Sequence, residues 1–282
     1  MGRGLTRCNA SCFDTAPARC HSKPGARTGR QKRSITVATS WLPVVNASLM
    51  RICNRFVVRR ACVMLAGMSE VPWHEQVAYY RHRAAEYDVT SYGNLPRANR
   101  RIAALVGQLH PRGDVLEIAC GTGIWTRHLV THARSVTAID AAPEMIALAC
   151  RRVSGQRLTF LAADVLDWTP PQRFDTVFFA FWLSHVPASA FGRFWSVVRS
   201  ALASDGRVLF VDDQPAAAGR ETYVAGSDEV VERHLQDGTR HRLIKLVRNQ
   251  PDLTRQLTQL GWQAAISRSG EDWLLGQARP AP

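Results

Sequence analysis

The feature that most constrains the fold of this 282-residue chain is a short apolar run that ends in two closely spaced glycines. Residues 115–126 read VLEIACGTGIWT, which predicts a buried strand, a tight turn and the start of a helix. Gly121 and Gly123 permit positive φ angles and a close approach of the backbone to a ligand, while a helix start exposes free N–H groups. Such a turn binds nucleotide-like cofactors, but two glycines after a strand are about as often purely structural.

Apolar runs continue to alternate with helical patterns after this turn. The predicted strands are 115–119, 136–139, 158–162, 174–181 and 207–211. Their apolarity is continuous rather than alternating, which is typical of strands covered on both faces. The stretches 143–152 and 189–203 are long enough for crossover helices. The sequence therefore predicts an α/β doubly wound, mostly parallel sheet.

Helical patterns also precede this region, and a helix with a hairpin follows it. Residues 73–88 place an apolar stripe on one helix face, formed by Val77, Tyr80, Ala84 and Tyr87. A second helix is predicted from Arg97 to Leu109, where His110-Pro111 ends it. Near the C-terminus, 251–260 predicts a helix that stops at Gly261, and 262–268 and 272–278 predict two strands.

The basic residues are concentrated at the N-terminus. The net charge is +13, but residues 1–67 carry twelve Lys or Arg against Asp14 alone, whereas 68–282 carry 24 against 22 acids. The part expected to fold thus lacks the basic excess by which proteins hold nucleic acids. We expect 1–67 to be a disordered or dispensable extension, no nucleic-acid partner for 68–282, no membrane span and a cytoplasmic location.

Three acids stand at or near the ends of successive predicted strands. Glu117 lies inside the first strand, where a carboxylate is costly unless a partner satisfies it. Asp140 ends the second strand, 17 residues after Gly123, about where an acid binds a ribose diol in nucleotide-binding α/β folds. Asp164 ends the third. Each alone is more often a solvated loop residue, but together they converge on one edge of the sheet.

At these residues the sequence resembles the class I S-adenosylmethionine-dependent methyltransferases, over about 73–279 and most strongly over 115–187. The resemblance implies that S-adenosyl-L-methionine is the cofactor. It also implies that Glu117 helps to hold the methionine amino group, with the backbone at Gly121 and Gly123 facing the methionine part. The family's first loop glycine is Ala119 in this sequence.

The same resemblance assigns residues to the nucleoside part of the cofactor. Asp140 matches the acid that binds both ribose hydroxyls, and Met145 matches a residue beside the adenine. Asp164 and Val165 match the contact to the adenine edge. The resemblance does not assign the roles of Tyr80 and Arg83, which are candidates to reach the cofactor carboxylate from an N-terminal cap; an ordinary amphipathic helix explains them about as well.

The resemblance also implies a fold and its division. It predicts a Rossmann-like methyltransferase fold, with a doubly wound, mostly parallel seven-stranded sheet, an antiparallel C-terminal strand and an N-terminal helical cap. Residues 68–282 are expected to form a single domain. Within it we expect the helical cap at about 70–110, the cofactor-binding core at about 113–212, and a lid with the C-terminal helix and hairpin at about 213–279.

Candidates for the acceptor side of the reaction follow the fourth strand. The family places residues here beside the transferring methyl group, and the matching positions are Phe181, Trp182, Ser184 and His185. His185 is the candidate catalytic residue because an imidazole titrates near neutrality. A histidine that only caps a helix or packs under Pro187 is an equal alternative.

The absence of two motifs narrows the class of methyl acceptor. No N-P-P-Y or D-P-P-Y follows the fourth strand, as expected for methylation of DNA bases or glutamine, so we expect a small-molecule acceptor with a reacting oxygen or nitrogen. Methylation of tRNA or protein, a non-catalytic binding module and a nicotinamide-dependent oxidoreductase are the alternatives. The G-x-G-x-x-G pattern of the last has Thr126 in place of its third glycine.

No metal site is predicted. Asp212 and Asp213 end the fifth strand without a carboxylate at the end of the fourth to join them. The spacing of Cys8, Cys12, Cys20 and His21 fits no common zinc finger.

Overall fold

A computed structural model describes residues Arg7–Cys8 and Trp73–Pro282. The extension expected over 1–67 lies outside the described residues apart from Arg7–Cys8, and so do Cys12, Cys20 and His21.

One large sheet and one separate hairpin contain all strands of the described part. The strands are β1 (Arg7–Cys8), β2 (Asp114–Ile118), β3 (Ser135–Asp140), β4 (Leu158–Ala162), β5 (Phe174–Ala180), β6 (Leu202–Asp213), β7 (Val230–His234), β8 (Arg240–Ile244), β9 (Trp262–Ser269) and β10 (Trp273–Pro280). The sheet order is β1-β4-β3-β2-β5-β6-β10-β9, and β7 pairs with β8.

The predicted fold class is confirmed. Strands β4, β3, β2, β5 and β6 run parallel, and β10 pairs antiparallel with both β6 and β9. These seven strands form the mostly parallel sheet with an inserted antiparallel C-terminal strand. The two-residue β1 adds antiparallel pairing at the β4 edge.

Helices cover both faces of the sheet and its carboxyl edge. They are α1 (Trp73–Arg83), α2 (Tyr87–Tyr92), α3 (Leu95–Leu109), α4 (Thr126–Leu129), α5 (Pro143–Arg152), α6 (Phe191–Ala201) and α7 (Gln250–Gln259). Local sequence explains several helix starts: Asn94 accepts from the N–H of Arg97, Asn249 accepts from that of Asp252, and Pro143 opens α5.

The core has two layers, one on each face of the sheet. Adjacent residues Phe178 and Phe179 of β5 enter opposite layers, because successive side chains of a strand alternate. Phe179 packs against Phe194 and stacks on Phe210, with ring centroids 5.3 and 5.5 Å away. Burial on both faces is what the continuous apolar runs predict.

The chain departs from the sequence prediction in two segments. The helix expected over 73–88 is broken after Arg83 and resumes as α2. The lid expected over 215–245 contains a 3-10 helix, Pro215–Arg220, and the β7–β8 hairpin, whose Val231 and Leu243 pack with Tyr79 of α1. No helix in the described part of the chain is long and apolar enough to cross a membrane.

Candidate active site

A cavity lies at the carboxyl ends of β2, β3 and β4, under α1 and α2. It encloses about 680 Å³, which includes its open mouth, and this size suits a cofactor-sized ligand. We call it the inner cavity. Its lining includes the sequence-predicted residues Tyr80, Ala119, Gly121, Asp140, Met145, Asp164, Val165 and His185.

The turn after β2 borders this cavity. Ala119, Gly121 and Gly123 have φ angles of 54°, 54° and 76°, all in the left-handed region. A Cβ at Gly121 would meet no atom within 4 Å, whereas one at Gly123 would lie 3.0 Å from the Cβ of Ala149 in α5. Gly121 therefore leaves open space beside the cavity, while Gly123 permits close packing of the turn on α5 and does not line the cavity.

Asp140 joins the turn to the end of β3. Its Oδ2 accepts from the N–H of Gly121 at 2.9 Å, and its Oδ1 accepts from the N–H of Ala142 at 2.8 Å. Burial raises the pKa of this carboxyl to about 6. A carboxylate held in this way on the cavity wall has lone pairs left for hydroxyl donors, so it fits a ribose diol.

Glu117 is buried at the centre of β2 and does not line the inner cavity. Its Oε2 accepts from the hydroxyl of Thr126 at 2.6 Å. Burial is the main cause that raises its pKa to about 8, so the carboxyl is protonated at neutral pH. The expected contact between Glu117 and a methionine amino group stays a prediction.

The far end of the inner cavity lies at the end of β4. Asp164 accepts from the indole N–H of Trp73, the first residue of α1, and from the N–H of Leu166 at 3.0 Å. Met145 is 1% exposed and Val165 4% exposed, and both line the cavity. An apolar floor with one carboxylate at its edge suits a purine base.

A second cavity, called here the outer cavity, adjoins the first. Tyr80, Tyr87, Phe181 and His185 line both cavities and form the wall that they share. Arg83 lines only the outer cavity; its Nη2 donates to the hydroxyls of Thr90 and Ser91, both at 2.9 Å. The rest of the outer cavity comes from the 3-10 segment, the hairpin and the end of β6.

The shared wall contains a strained residue. Phe181 follows β5 with a φ of 54°, which a residue other than glycine adopts only where its surroundings enforce it. Its N–H donates to the carbonyl of Val211 at 2.8 Å, and its ring packs on Trp273 at 5.2 Å. These contacts hold the ring between the two cavities.

His185 has a defined tautomer. Its Nδ1 lies 2.6 Å from the carbonyl oxygen of Ile244, which only accepts, so Nδ1 carries the proton. Its Nε2 lone pair then accepts from the hydroxyl of Tyr80 at 2.9 Å. Burial, together with the charges of Lys245 and Arg233, lowers the pKa of His185 well below its usual value, so the imidazole is neutral at pH 7.

Of the eleven residues predicted for catalysis and cofactor binding, eight line the inner cavity, and Glu117, Gly123 and Arg83 do not. Of the other predicted acceptor-side positions, Phe181 and Trp182 line it and Ser184 does not. Two residues that sequence reasoning missed, Trp73 and Gln76, also line it. Trp73 carried no motif, and Gln76 is a single polar residue in a helix. No group of three or more potential metal ligands occurs among the described residues.

Comparisons with known proteins agree with this geometry. A family model described as a methyltransferase domain matches residues 115–206. The structure titled "DhpI-SAH complex structure" has a TM-score of 0.65 and 41% identity, covering 74% of this chain and 97% of that one.

Two other relatives match shorter parts of this chain. A malonyl-[acyl-carrier protein] O-methyltransferase from Anoxybacillus flavithermus is 33% identical over 31% of this chain, and nodulation protein S from Sinorhizobium fredii is 29% identical over 43%. These matches span 36% and 57% of the relatives' own lengths. The resemblance seen in the sequence is confirmed, and the nicotinamide-dependent alternative is wrong. The chain belongs to the class I S-adenosylmethionine-dependent methyltransferase family.

Proposed function

We propose that this protein transfers a methyl group to an oxygen or nitrogen of a small molecule that binds in the outer cavity, with S-adenosylmethionine in the inner cavity. The observation that carries this proposal is the shared wall. Tyr80, Tyr87, Phe181 and His185 face both cavities, so a donor and an acceptor would meet beside them.

The inner cavity has the groups that would hold the cofactor. Asp140 would accept from the ribose hydroxyls, Met145 and Val165 would pack on the adenine, and Gly121 leaves space for the amino-acid part. When bound, the cofactor supplies an electrophilic methyl group on a sulfonium. Orienting two reactants contributes about 7–11 kcal/mol in favourable model systems, so positioning is the main task of the protein.

On the acceptor side, His185 is the proposed proton acceptor for an acceptor group that carries a proton. Its Nε2 holds a lone pair that the hydroxyl of Tyr80 now occupies, and Tyr80 and His185 both line the two cavities. An acceptor hydroxyl or amine would reach His185 by displacing Tyr80 or by passing its proton through the Tyr80 oxygen. The lowered pKa keeps the imidazole neutral at pH 7, with its proton on Nδ1 and a lone pair on Nε2, and it makes His185 a weak base.

Two observations support a small molecule over tRNA or a protein. Residues 68–282 are nearly neutral in net charge, so they lack the basic excess that favours binding of tRNA phosphates. The outer cavity is bounded by α1, α2 and the hairpin, which leave a recess rather than a flat surface. The name of the malonyl-[acyl-carrier protein] O-methyltransferase supports oxygen as the reacting atom.

Calorimetric titration with S-adenosylhomocysteine tests the proposed cofactor site. Asp140→Ala is expected to weaken binding at least tenfold, or about 1.4 kcal/mol, because the diol loses its carboxylate partner. Asp175→Asn, at the amino edge of the sheet, is the control and should bind as the wild type does. Unchanged affinity in Asp140→Ala would contradict the site, and binding of NADH in place of S-adenosylhomocysteine would contradict the function.

Screening pools of small hydroxyl, carboxyl and amine compounds for release of S-adenosylhomocysteine tests the acceptor class. Turnover with a small compound is expected, and it should fall in His185→Gln if the acceptor group carries a proton. Cofactor binding without turnover on any pool, with turnover on tRNA or protein fractions, would overturn the small-molecule assignment. Cofactor binding without turnover on any substrate would indicate a binding module.

A further inference from the structure

Three residues from three elements form a closed ring of hydrogen bonds behind the shared wall. The Nδ1–H of His185 donates to the carbonyl of Ile244 at 2.6 Å. The N–H of Ile244 donates to Oε1 of Gln76 at 3.0 Å. The Nε2 of Gln76 donates to the carbonyl of His185 at 3.1 Å, which closes the ring.

All three members of the ring are buried. Gln76 is 2% exposed, and His185 and Ile244 are each 4% exposed. Gln76 belongs to α1 of the cap, His185 to the 3-10 turn after β5, and Ile244 to the end of β8. Buried polar groups are costly when they lose a partner, so removing one member leaves the others unsatisfied.

Each backbone carbonyl of the turn that carries His185 accepts a hydrogen bond. Arg248 donates to the carbonyls of Leu183 and Val186 at 2.7 and 2.9 Å, and the N–H of Leu246 donates to that of Ser184 at 2.8 Å. The carbonyl of His185 is the remaining one, and its partner is Gln76. Arg248 and Leu246 follow β8, so Gln76 is the member of this set that comes from the cap.

The groups around His185 determine its protonation and its hydrogen bonds in this position. Tyr80 of α1 donates to Nε2, while Lys245, Arg233 and Arg83 contribute positive charge from the end of β8, from β7 and from α1. A change in the tilt of the imidazole would alter its hydrogen bonds and its exposure to water. Its tautomer and titration therefore report whether the ring is intact.

We propose that Gln76 is a positioning residue for methyl transfer, which fixes His185 in its Nδ1–H tautomer by joining the cap to the turn and to β8. This inference rests on the proposed function, because it places His185 on the acceptor side. It also implies that the acceptor side is completed only when α1 is docked, since the amide that closes the ring comes from α1.

Nitrogen-15 NMR of the histidine rings in the full-length protein tests the proposal. The signals of His185 are assigned by their loss in His185→Gln. In the wild type, we expect a single neutral tautomer at pH 7, with a pKa below the usual value of histidine. In Gln76→Leu, we expect mixed tautomers and a pKa that moves back toward the usual value of histidine, because water gains access to the imidazole.

Gln214→Leu is the matched control. Gln214 is also a buried glutamine whose Nε2 donates to two carbonyls, those of Gly270 and Trp273, but it lines neither cavity. Both variants are expected to lower the midpoint of thermal unfolding, and only Gln76→Leu should change the His185 signals. Gln76→Asn, which keeps the amide but is shorter by one methylene, serves if Gln76→Leu does not fold.

An unchanged tautomer and titration of His185 in a folded Gln76 variant would overturn the proposal and leave Gln76 a structural residue. Titration with S-adenosylhomocysteine separates this result from a failure of the proposed function. If the wild type does not bind S-adenosylhomocysteine, the function fails. If it binds and Gln76→Leu binds within about threefold of it while His185 is unchanged, only the positioning role fails.

Discussion

At the scale of single residues, Ala119 shows how the turn after β2 accommodates a side chain. Its φ of 54° is left-handed, a region that costs an L-residue roughly 1–2 kcal/mol. The backbone of the turn keeps this conformation because Asp140 accepts from Gly121 and the N–H of Cys120 donates to the carbonyl of Ile139 at 3.0 Å. The turn has therefore kept its shape without the glycine that the family has there.

Ala119→Gly is expected to stabilise the ligand-free protein. Relief of the left-handed strain exceeds the added freedom of glycine in the unfolded chain, which leaves a net gain of about 0.5–1 kcal/mol. The free energy of unfolding from urea denaturation measures the gain. Ala142→Gly, at a φ of −93°, is the control and should destabilise instead. Destabilisation by Ala119→Gly would show that the methyl group contributes more in packing than it costs in strain.

Glu117 predicts a pH dependence of stability. Its folded pKa of about 8 lies above its value of 4.5 in an unfolded chain, so the unfolded state releases its proton first. This contribution to stability is complete below about pH 4.5 and is lost as pH rises to about 8, at up to about 1.4 kcal/mol per pH unit.

Glu117→Gln should flatten that dependence. Glutamine mimics the protonated carboxyl and keeps an oxygen for the Thr126 hydroxyl, but it has no proton to release. Between pH 6.5 and 8, above the pKa of about 6 of Asp140, the unfolding free energy of the wild type should fall relative to that of Glu117→Gln, because His185 and the other titrating groups are common to both proteins. Parallel curves for the two proteins would show that Glu117 is ionised when folded.

Sequence reasoning found residues whose roles follow from local position and missed those set by distant contacts. Gly121, Asp140 and Asp164 stand at strand ends, and the parallel order brings all strand ends to one edge. Trp73 forms a hydrogen bond with Asp164, which is 91 residues away in the sequence, and Gln76 forms one with Ile244, which is 168 residues away. No local pattern encodes such contacts, because they depend on how α1 docks.

At the scale of elements, the cap helices α1 and α2 form side-chain contacts near the carboxyl ends of three strands, beside the inner cavity. Trp73 of α1 bonds Asp164 after β4, and Arg81 pairs with Glu144 at the start of α5 at 2.8 Å. Asp88 of α2 pairs with Arg152 of α5 and accepts from the hydroxyl of Thr122 at 2.6 Å. These contacts dock α1 and α2 over the inner cavity.

The two ion pairs of the cap should differ in strength. Arg81 and Glu144 have side-chain exposures of 50% and 41%, so solvent screens this pair and Arg81→Met is expected to leave the unfolding free energy nearly unchanged. Arg152 and Asp88 are 23% and 18% exposed, and Arg152 also donates to Thr122 at two atoms. Arg152→Met is expected to cost about 2 kcal/mol. Equal losses in urea denaturation would contradict this order.

The elements that were predicted well are those with strong periodicity. Residues 143–152 were expected as a helix and form α5, and 158–162 were expected as a strand and form β4. The sequence pattern predicts no strands where the β7–β8 hairpin lies. Its turn contains Asp237-Gly238, a recognised hairpin signal, with a φ of 83° at Gly238. Its two strands are rich in Arg, Glu and His, so the sequence does not show the alternation of apolar and polar residues that would indicate a strand.

At the scale of the whole molecule, the site is assembled from one continuous stretch of the described chain. The cap, the sheet, the hairpin and the final strand pair all lie within Trp73–Pro282. A solved relative is matched over 97% of its length by 74% of this chain, so a fold of this family is built from about that much sequence. We accordingly propose that 68–282 is the methyltransferase domain.

A chain that begins at Met68 tests this division. It removes β1, whose two residues pair only at the β4 edge, and such a short edge strand contributes little to a sheet of seven others. The shortened chain is expected to unfold within about 2 °C of the full chain and to bind S-adenosylhomocysteine within about twofold. A chain that begins at Tyr87 is the contrast: it lacks α1, and with it Trp73, Gln76 and Tyr80 of the inner cavity, so binding should fall at least tenfold. Loss of binding in the Met68 chain would mean that residues before it support the site, because every described residue of the inner cavity would still be present.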